Sequence, residues 1–277
     1  MSSFPEKNEI QARIIVQGIP FDRYSSYKRG PAQAPEKIRE ALFSGSANLW
    51  SESGFNIGAD NVLFDAGDLN FSSDKDVFEE IELSVSKICS DKKKPLLLGG
   101  DHSITYPIIK AISRYFPKLT ILHFDAHPDL YDEYDGNKLS HACPFARIME
   151  EGLVECLIQV GIRTLNAHQR EQVERFGVKI IEMKDLPSDL VLNLSSPLYI
   201  SFDMDCIDPG FAPGVSHWEP GGMSSRQVIE IIQSISANIV GADIVEFNPE
   251  VESDLTATVA AKILKEMAGK MLEKDLY

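Results

Sequence analysis

The chain has 277 residues, 43% of them hydrophobic and 25% charged, the make-up of a globular protein with a substantial core. A formal net charge of -15 argues against a nucleic-acid backbone or an anionic membrane as partner and favours a small cation or a divalent metal. No apolar run reaches the length of a membrane span and no linker divides the chain, so a single domain over residues 1–277 is expected.

Residues 1–9 lack a basic segment followed by an apolar one, and the four cysteines (Cys89, Cys143, Cys156, Cys206) are scattered without CxxC spacing. Both features point to reduced thiols and a cytoplasmic location, with Cys143 and Cys206 read as small buried fillers. Residues 13–18 read as a first strand and lead into a polar loop with Tyr24 and Tyr27. Pro35, Ile38, Ala41 and Leu42 then mark a helix. Residues 62–68 form a second strand. A helix from about residue 74 to 90 aligns Val77, Ile81, Val85 and Ile88 on one stripe and closes on Lys92, Lys93 and Lys94. The strand at 95–98 runs into Gly99-Gly100-Asp101-His102-Ser103, and a helix from 105 to 116 is stopped by Pro117.

Residues 119–129 (Leu-Thr-Ile-Leu-His-Phe-Asp-Ala-His-Pro-Asp) begin as a buried strand and end in a polar cluster. A charged loop over 131–140 leads to a helix at 144–151, a strand at 156–160, a helix at 167–176 and a strand at 178–181. The strand at 198–202 is followed by a Gly/Pro-rich loop at 209–222, too long for a plain connector and expected to shape a pocket. A helix at 224–235 has Ser224 as its cap, a strand at 239–245 ends at Glu246, and a last helix covers 255–272. Eight strands alternating with helices, most of them apolar on both faces, predict a three-layer α/β/α fold with a mostly parallel, roughly eight-stranded sheet.

Three strands finish in metal-ligand chemistry. In extended chain Asp125, His127 and Asp129 project from one face, and Pro128 should end regular pairing there. Taken alone, Asp-x-His-x-Asp is equally well a surface loop. A second apolar strand ends in Asp203-Met204-Asp205, however, and a third in Gly99-Gly100-Asp101-His102. Open α/β sheets bind ligands at strand C-termini. The donors collected there are His102, Asp125, His127, Asp129, Asp203 and Asp205, with Glu246 at a fourth strand end. Such an oxygen-rich set without thiolate exceeds the needs of one ion and suits manganese or a similar hard divalent metal. Two ions about 3.5–4 Å apart would make a hydrolytic centre, because bound water loses its proton near neutral pH.

The three signatures, 99–103, 125–129 and 201–209, together with Gly18-Ile19-Pro20-Phe21-Asp22 and Glu246-Phe247-Asn248-Pro249, resemble the ureohydrolase (arginase/agmatinase) family over most of the chain. The resemblance implies the arginase-like fold and two Mn2+ per chain. His102 and Asp129 would bind one ion, His127 and Asp205 the other, and Asp125 and Asp203 would bridge them. A hydroxide on the bridge would attack a guanidinium carbon, with His141, Asp129 and Glu246 as the catalytic set. In it His141 carries a proton to the leaving amine and Glu246 grips the guanidinium. A trimer or hexamer is also implied.

The loop at 131–140 is acidic and resembles that of agmatinases, so Asp132, Glu133 and Asp135 are expected to draw in the distal ammonium of agmatine, giving putrescine and urea. Trp218 departs from the usual pattern of such enzymes and either narrows the pocket or packs against its wall. Arginase, guanidinobutyrase and formiminoglutamase chemistry are the alternatives within the family; outside it the alternatives are a deacetylase relative of the same fold, which would use one zinc and fewer aspartates, and a non-catalytic metal-binding assembly protein.

Overall fold

A computed structural model describes residues 9–73, 76–187, 190–192, 194 and 197–274. Among the described residues there are eight strands: β1 (Ile14–Gly18), β2 (Leu63–Asp68), β3 (Lys94–Leu98), β4 (Thr120–Phe124), β5 (Cys156–Ile162), β6 (Lys179–Glu182), β7 (Leu198–Asp203) and β8 (Ile239–Val245). They form one sheet in the order β2-β1-β3-β8-β7-β4-β5-β6, every pairing parallel. The seven α-helices among the described residues are α1 (Ala34–Leu42), α2 (Val77–Ser90), α3 (Thr105–Ile112), α4 (Pro144–Glu150), α5 (Ala167–Phe176), α6 (Ser225–Ser234) and α7 (Asp254–Leu272). Among the described residues no helix is long and apolar enough to cross a membrane.

Alternation along the strands builds two cores. Leu96, Leu98, Leu122, Phe124, Ile200 and Phe202 point to one face and meet α1, α6 and α7 through Ile38, Val228, Ile232 and Leu264. Leu97, Ile121 and Tyr199 point to the other and meet α2, α3 and α4 through Val85, Ile108 and Phe145. Burying each such side chain contributes about 1.5–3 kcal/mol, so the sheet is secured by its faces and its C-terminal rim is left for chemistry. The three-layer architecture expected from the sequence is the one observed.

Helix ends follow local chemistry. The Asp76 side chain accepts from Phe78 N–H at 2.8 Å and starts α2. Asp74, where this helix was expected to begin, lies outside the described residues. Ser224 and Gln227 form a reciprocal box at the start of α6, as Asn166 and Gln169 do for α5. Two boundaries differ from expectation. Helix α3 stops at Ile112, because Arg114 and Tyr115 have no core to face and Pro117 disfavours helical backbone before it. Strand β4 stops at Phe124, so residues 125–129 form a turn in place of extended chain.

The β3 rim needs glycine at its tip. A Cβ at Gly100 would lie 1.8 Å from the Phe21 carbonyl oxygen, and backbone there has no room to retreat. Gly100→Ala is therefore expected to lower stability by about 1–3 kcal/mol, the scale of overpacking, in urea unfolding. An unchanged midpoint would contradict this packing.

Candidate metal centre

Of the four central strands, neighbours in the order β3-β8-β7-β4, β3, β7 and β4 deliver the expected ligands to one point and β8 delivers Glu246. Beyond β3, Asp101 caps a short 3-10 turn that presents His102. Beyond β7, the Asp203 carboxylate accepts from Asp205 N–H at 2.8 Å and so sets the spacing of the two aspartates. Beyond β4, Asp125 accepts from His127 N–H at 2.6 Å, while Asp205 accepts from Ala126 N–H at 3.1 Å and ties the β4 turn to the β7 turn. Asp129 has φ of 48° and Glu246 of 63°, left-handed backbone that non-glycine residues seldom adopt and that gathers at functional sites.

His102 Nδ1 lies 3.3 Å from Asp125 Oδ2, 3.0 Å from Asp129 Oδ2 and 3.2 Å from Asp203 Oδ2. His127 Nδ1 lies 3.0 Å from Asp205 Oδ2 and 3.4 Å from Asp125 Oδ1. All six predicted ligands are thus brought together, five of them buried and His127 partly so. The donor set fits a metal by a test internal to the protein. His102 Nε2 is 3.0 Å from Ser201 Oγ, whose own proton goes to Asp243 Oδ1 at 2.8 Å. Nε2 must therefore donate, so Nδ1 is the nitrogen turned to the carboxylates, with its lone pair for whatever cation, a proton or a metal ion, sits there. That buried nitrogen has no hydrogen-bond partner, although three carboxylates surround it. A lone pair facing three anions is a place for a cation.

The electrostatics agree. Burial pulls the His102 imidazole down, but Asp125, Asp129 and Asp203 outweigh it and hold its pKa well above the ordinary value. Burial, followed by the charges of Asp205 and Asp125, pushes Asp203 well up, and Asp205 rises to about 6, chiefly through burial. Without a positive ion the cluster must borrow protons to exist.

His141 and Glu246 form a second unit on the same pocket. Burial lowers His141, but the Glu246 carboxylate 2.7 Å from Nδ1 overrides it and lifts the imidazole to about 9. Glu246 stays below its usual value despite burial, held there by His141. Glu246 Oε1 also accepts from His102 N–H at 2.8 Å. On the far side of His141, Ser26 Oγ lies 2.8 Å and Ser26 N 3.1 Å from Nε2. One residue thus offers that nitrogen both an acceptor and a donor, so the imidazole is satisfied with or without its second proton.

The pocket holds about 180 Å³, and its remaining wall includes Tyr131, Tyr134, Thr164, Gln169, His217 and Glu219. A larger cleft of about 460 Å³ beside Gln17, Ser84 and Lys87 shares no residue with it. The acidic loop is placed otherwise than expected. Asp132 turns to Gln172, and to Arg175 at 3.2 Å, while Glu133 and Asp135 are exposed. None of the three lines the pocket. Arginines and amides on the neighbouring α4 and α5 offer that loop closer partners than a ligand would: Arg147 also binds the Asp132 carbonyl at 2.6 Å. Trp218 is 57% exposed and its Nε1 donates to Pro213 O, so the neighbouring His217, unremarked in the sequence, forms the wall instead. His123, Gln159, Ser201 and Asp243 were also missed. Two of them had a signal: His123 and Ser201 stand two residues before Asp125 and Asp203, where strand alternation returns to the same face.

The Arginase family model matches residues 12–269 of this chain. An Arabidopsis thaliana protein named Arginase 1, mitochondrial, is 46% identical over 94% of this chain and 82% of its own length. A Neisseria meningitidis agmatinase is 37% identical over 94% of this chain and 87% of its own. The solved arginase of Medicago truncatula superposes with a TM-score of 0.89 at 42% identity, covering 94% of this chain and 88% of that one.

The His141–Glu246 pair has a signature in stability. A raised imidazole pKa stabilises the fold fully below the unfolded value of about 6.5. That contribution is lost as pH rises through about 9. Urea unfolding of the metal-free chain between these pH values is expected to show a loss that His141→Asn removes, on the order of 2 kcal/mol. Equal pH slopes for the two chains would refute the pairing.

Proposed function

This chain belongs to the arginase family, and from that premise we propose that it hydrolyses arginine at the guanidinium C–N bond, yielding ornithine and urea. The observation that carries the hydrolytic reading is one cluster of six metal-ligand side chains, four of which (His127, Asp129, Asp203 and Asp205) line the same pocket as His141 and Glu246. We take the ions to be a manganese pair, since the donors are mostly oxygen; His102, Asp125, His127, Asp129, Asp203 and Asp205 would hold it. When bound, the pair supplies water activated near neutral pH.

The protein's own residues do the rest. Both protein bonds to Glu246 fall on Oε1, so its other oxygen is the one available to a planar guanidinium through charge-assisted hydrogen bonds. Burial strengthens that contact and orients the carbon toward the ligand cluster. As the C–N bond to the alkyl nitrogen breaks, that nitrogen must gain a proton. His141 carries one, and Ser26 satisfies its Nε2 before and after the transfer.

The expectation of agmatine rested on the loop acids, and they are spent elsewhere or face solvent. Support moves to arginine through the 46% identity to a named arginase against 37% to a named agmatinase. Glu219 on the wall suits the α-ammonium of arginine and weighs against guanidino acids that carry a carboxylate alone. Agmatine is the second reading, favoured by the agmatinase relative's match over 94% of the chain. The four free thiols fit a reducing compartment, the cytoplasm or an organelle interior.

Urea release from arginine, agmatine and 4-guanidinobutyrate, with manganese and with a chelated control, tests the proposal. We expect manganese-dependent turnover with kcat/KM for arginine at least about tenfold above agmatine, a difference of about 1.4 kcal/mol. The reverse order would establish the second reading, and no urea from any of them would overturn both.

A further inference from the structure

We infer that Gln159, a buried amide outside the ligand set, is a positioning residue that holds both ends of the turn of residues 125–129. Through His123 it fixes Asp125, and through the Pro128 carbonyl it fixes Asp129. The inference rests on the reading of the cluster as a metal centre.

Gln159 sits on β5 directly opposite His123 on β4. Its Nε2 donates to Pro128 O at 2.7 Å and lies 3.0 Å from His123 Nδ1. The Pro128 carbonyl settles the orientation of the amide, because a flipped side chain would set oxygen against oxygen at that distance. Gln159 Oε1 is left buried without a partner, so the side chain accepts an unsatisfied oxygen to keep both donor bonds.

The consequence passes to His123. An amide nitrogen only donates, so Nδ1 carries the lone pair and the imidazole proton sits on Nε2. That nitrogen is 2.8 Å from Asp125 Oδ2. His123 packs on the Phe145 ring at a centroid distance of 4.0 Å, which leaves the imidazole no alternative plane. Its ring nitrogen comes close enough to His102 and Asp125 for the three to share an ion. Both of its nitrogens are already committed, however, so it serves as a hydrogen-bond donor to a ligand and is not itself a ligand.

The other arm reaches Asp129. That residue holds its carboxylate 3.0 Å from His102 Nδ1 only by adopting φ of 48°. The Pro128 carbonyl immediately before it, anchored by Gln159, and the Asp129 carbonyl, which accepts from Phe145 N–H at 3.2 Å, pin the peptide on each side of the strained residue.

The test titrates Mn2+ into the full-length chain by calorimetry, for wild type, Gln159→Leu, His123→Leu and His123→Gln, with circular dichroism and thermal melting as folding controls. Gln159→Leu and His123→Leu are expected to weaken binding at least about tenfold. His123→Gln, whose amide can still donate toward Asp125, should stay within about threefold of wild type. If Gln159→Leu fails to fold, the two His123 variants carry the comparison. An independent readout is the 15N signature of the His123 imidazole in the metal-free chain, assigned by its loss in His123→Gln. We expect the neutral Nε2–H form in wild type and its replacement in Gln159→Glu, whose carboxylate accepts a proton from Nδ1. Wild-type manganese affinity in Gln159→Leu, or an Nδ1–H imidazole in wild type, would overturn the inference while leaving the metal centre intact. Failure of the wild-type chain to bind manganese would overturn the metal reading and this inference with it.

Discussion

Crowding of like charge is the constraint on which the rest of this structure depends. Asp125, Asp129, Asp203 and Asp205 converge on His102 and His127 at the rim of the sheet, and among the described residues no lysine or arginine stands there as counter-ion to any of them. Burial raises the penalty for every uncompensated carboxylate. The protein assembles the cluster by spreading its carriers over the ends of three parallel strands, in a sheet whose register is enforced by two large apolar cores. Hydrophobic burial far from the chemistry thus holds together a set of groups that would otherwise separate.

Beneath the ligands lies a layer of committed hydrogen bonds. Asp243 accepts from Thr105, Tyr199 and Ser201 hydroxyls, so a buried carboxylate with no cationic partner is satisfied by neutral donors, and Ser201 in turn dictates the tautomer of His102. Gln159 stands in the same relation to His123 and Asp125. The two relays approach the cluster from opposite sides, one through β8 and β7 and one through β5 and β4. They make the direction of each lone pair a property of the fold, so little reorganisation is left to ligand binding.

The fold was legible because its signals are local. Apolar runs bounded by turns located all eight strands, and capping residues such as Ser224 located helix starts, since each depends on a few neighbours along the chain. The six residues of the cluster were legible for the same reason, each standing at the end of such a run. Partners chosen across the sheet were less so. His123 and Ser201 lie on the ligand face by simple alternation, but Gln159 and Asp243 matter only because strand order places β5 beside β4 and β8 beside β7. No spacing within one strand encodes that.

The acidic loop was misplaced for a related reason. The sequence shows how many acids the loop at 131–140 contains, and the structure shows which way they face. Asp132 is drawn off by Gln172 and Arg175, residues more than thirty positions further along the chain, and Glu133 and Asp135 stay in solvent, where water screens them. Besides the aspartates of the cluster, the carboxylates that line the pocket are Glu219 and Glu246, on two other loops. A carboxylate steers specificity when it is desolvated and aimed at the ligand, and both conditions are set by tertiary contacts. Counting charge in a segment therefore predicts the field in solvent around the protein better than the field inside its pocket.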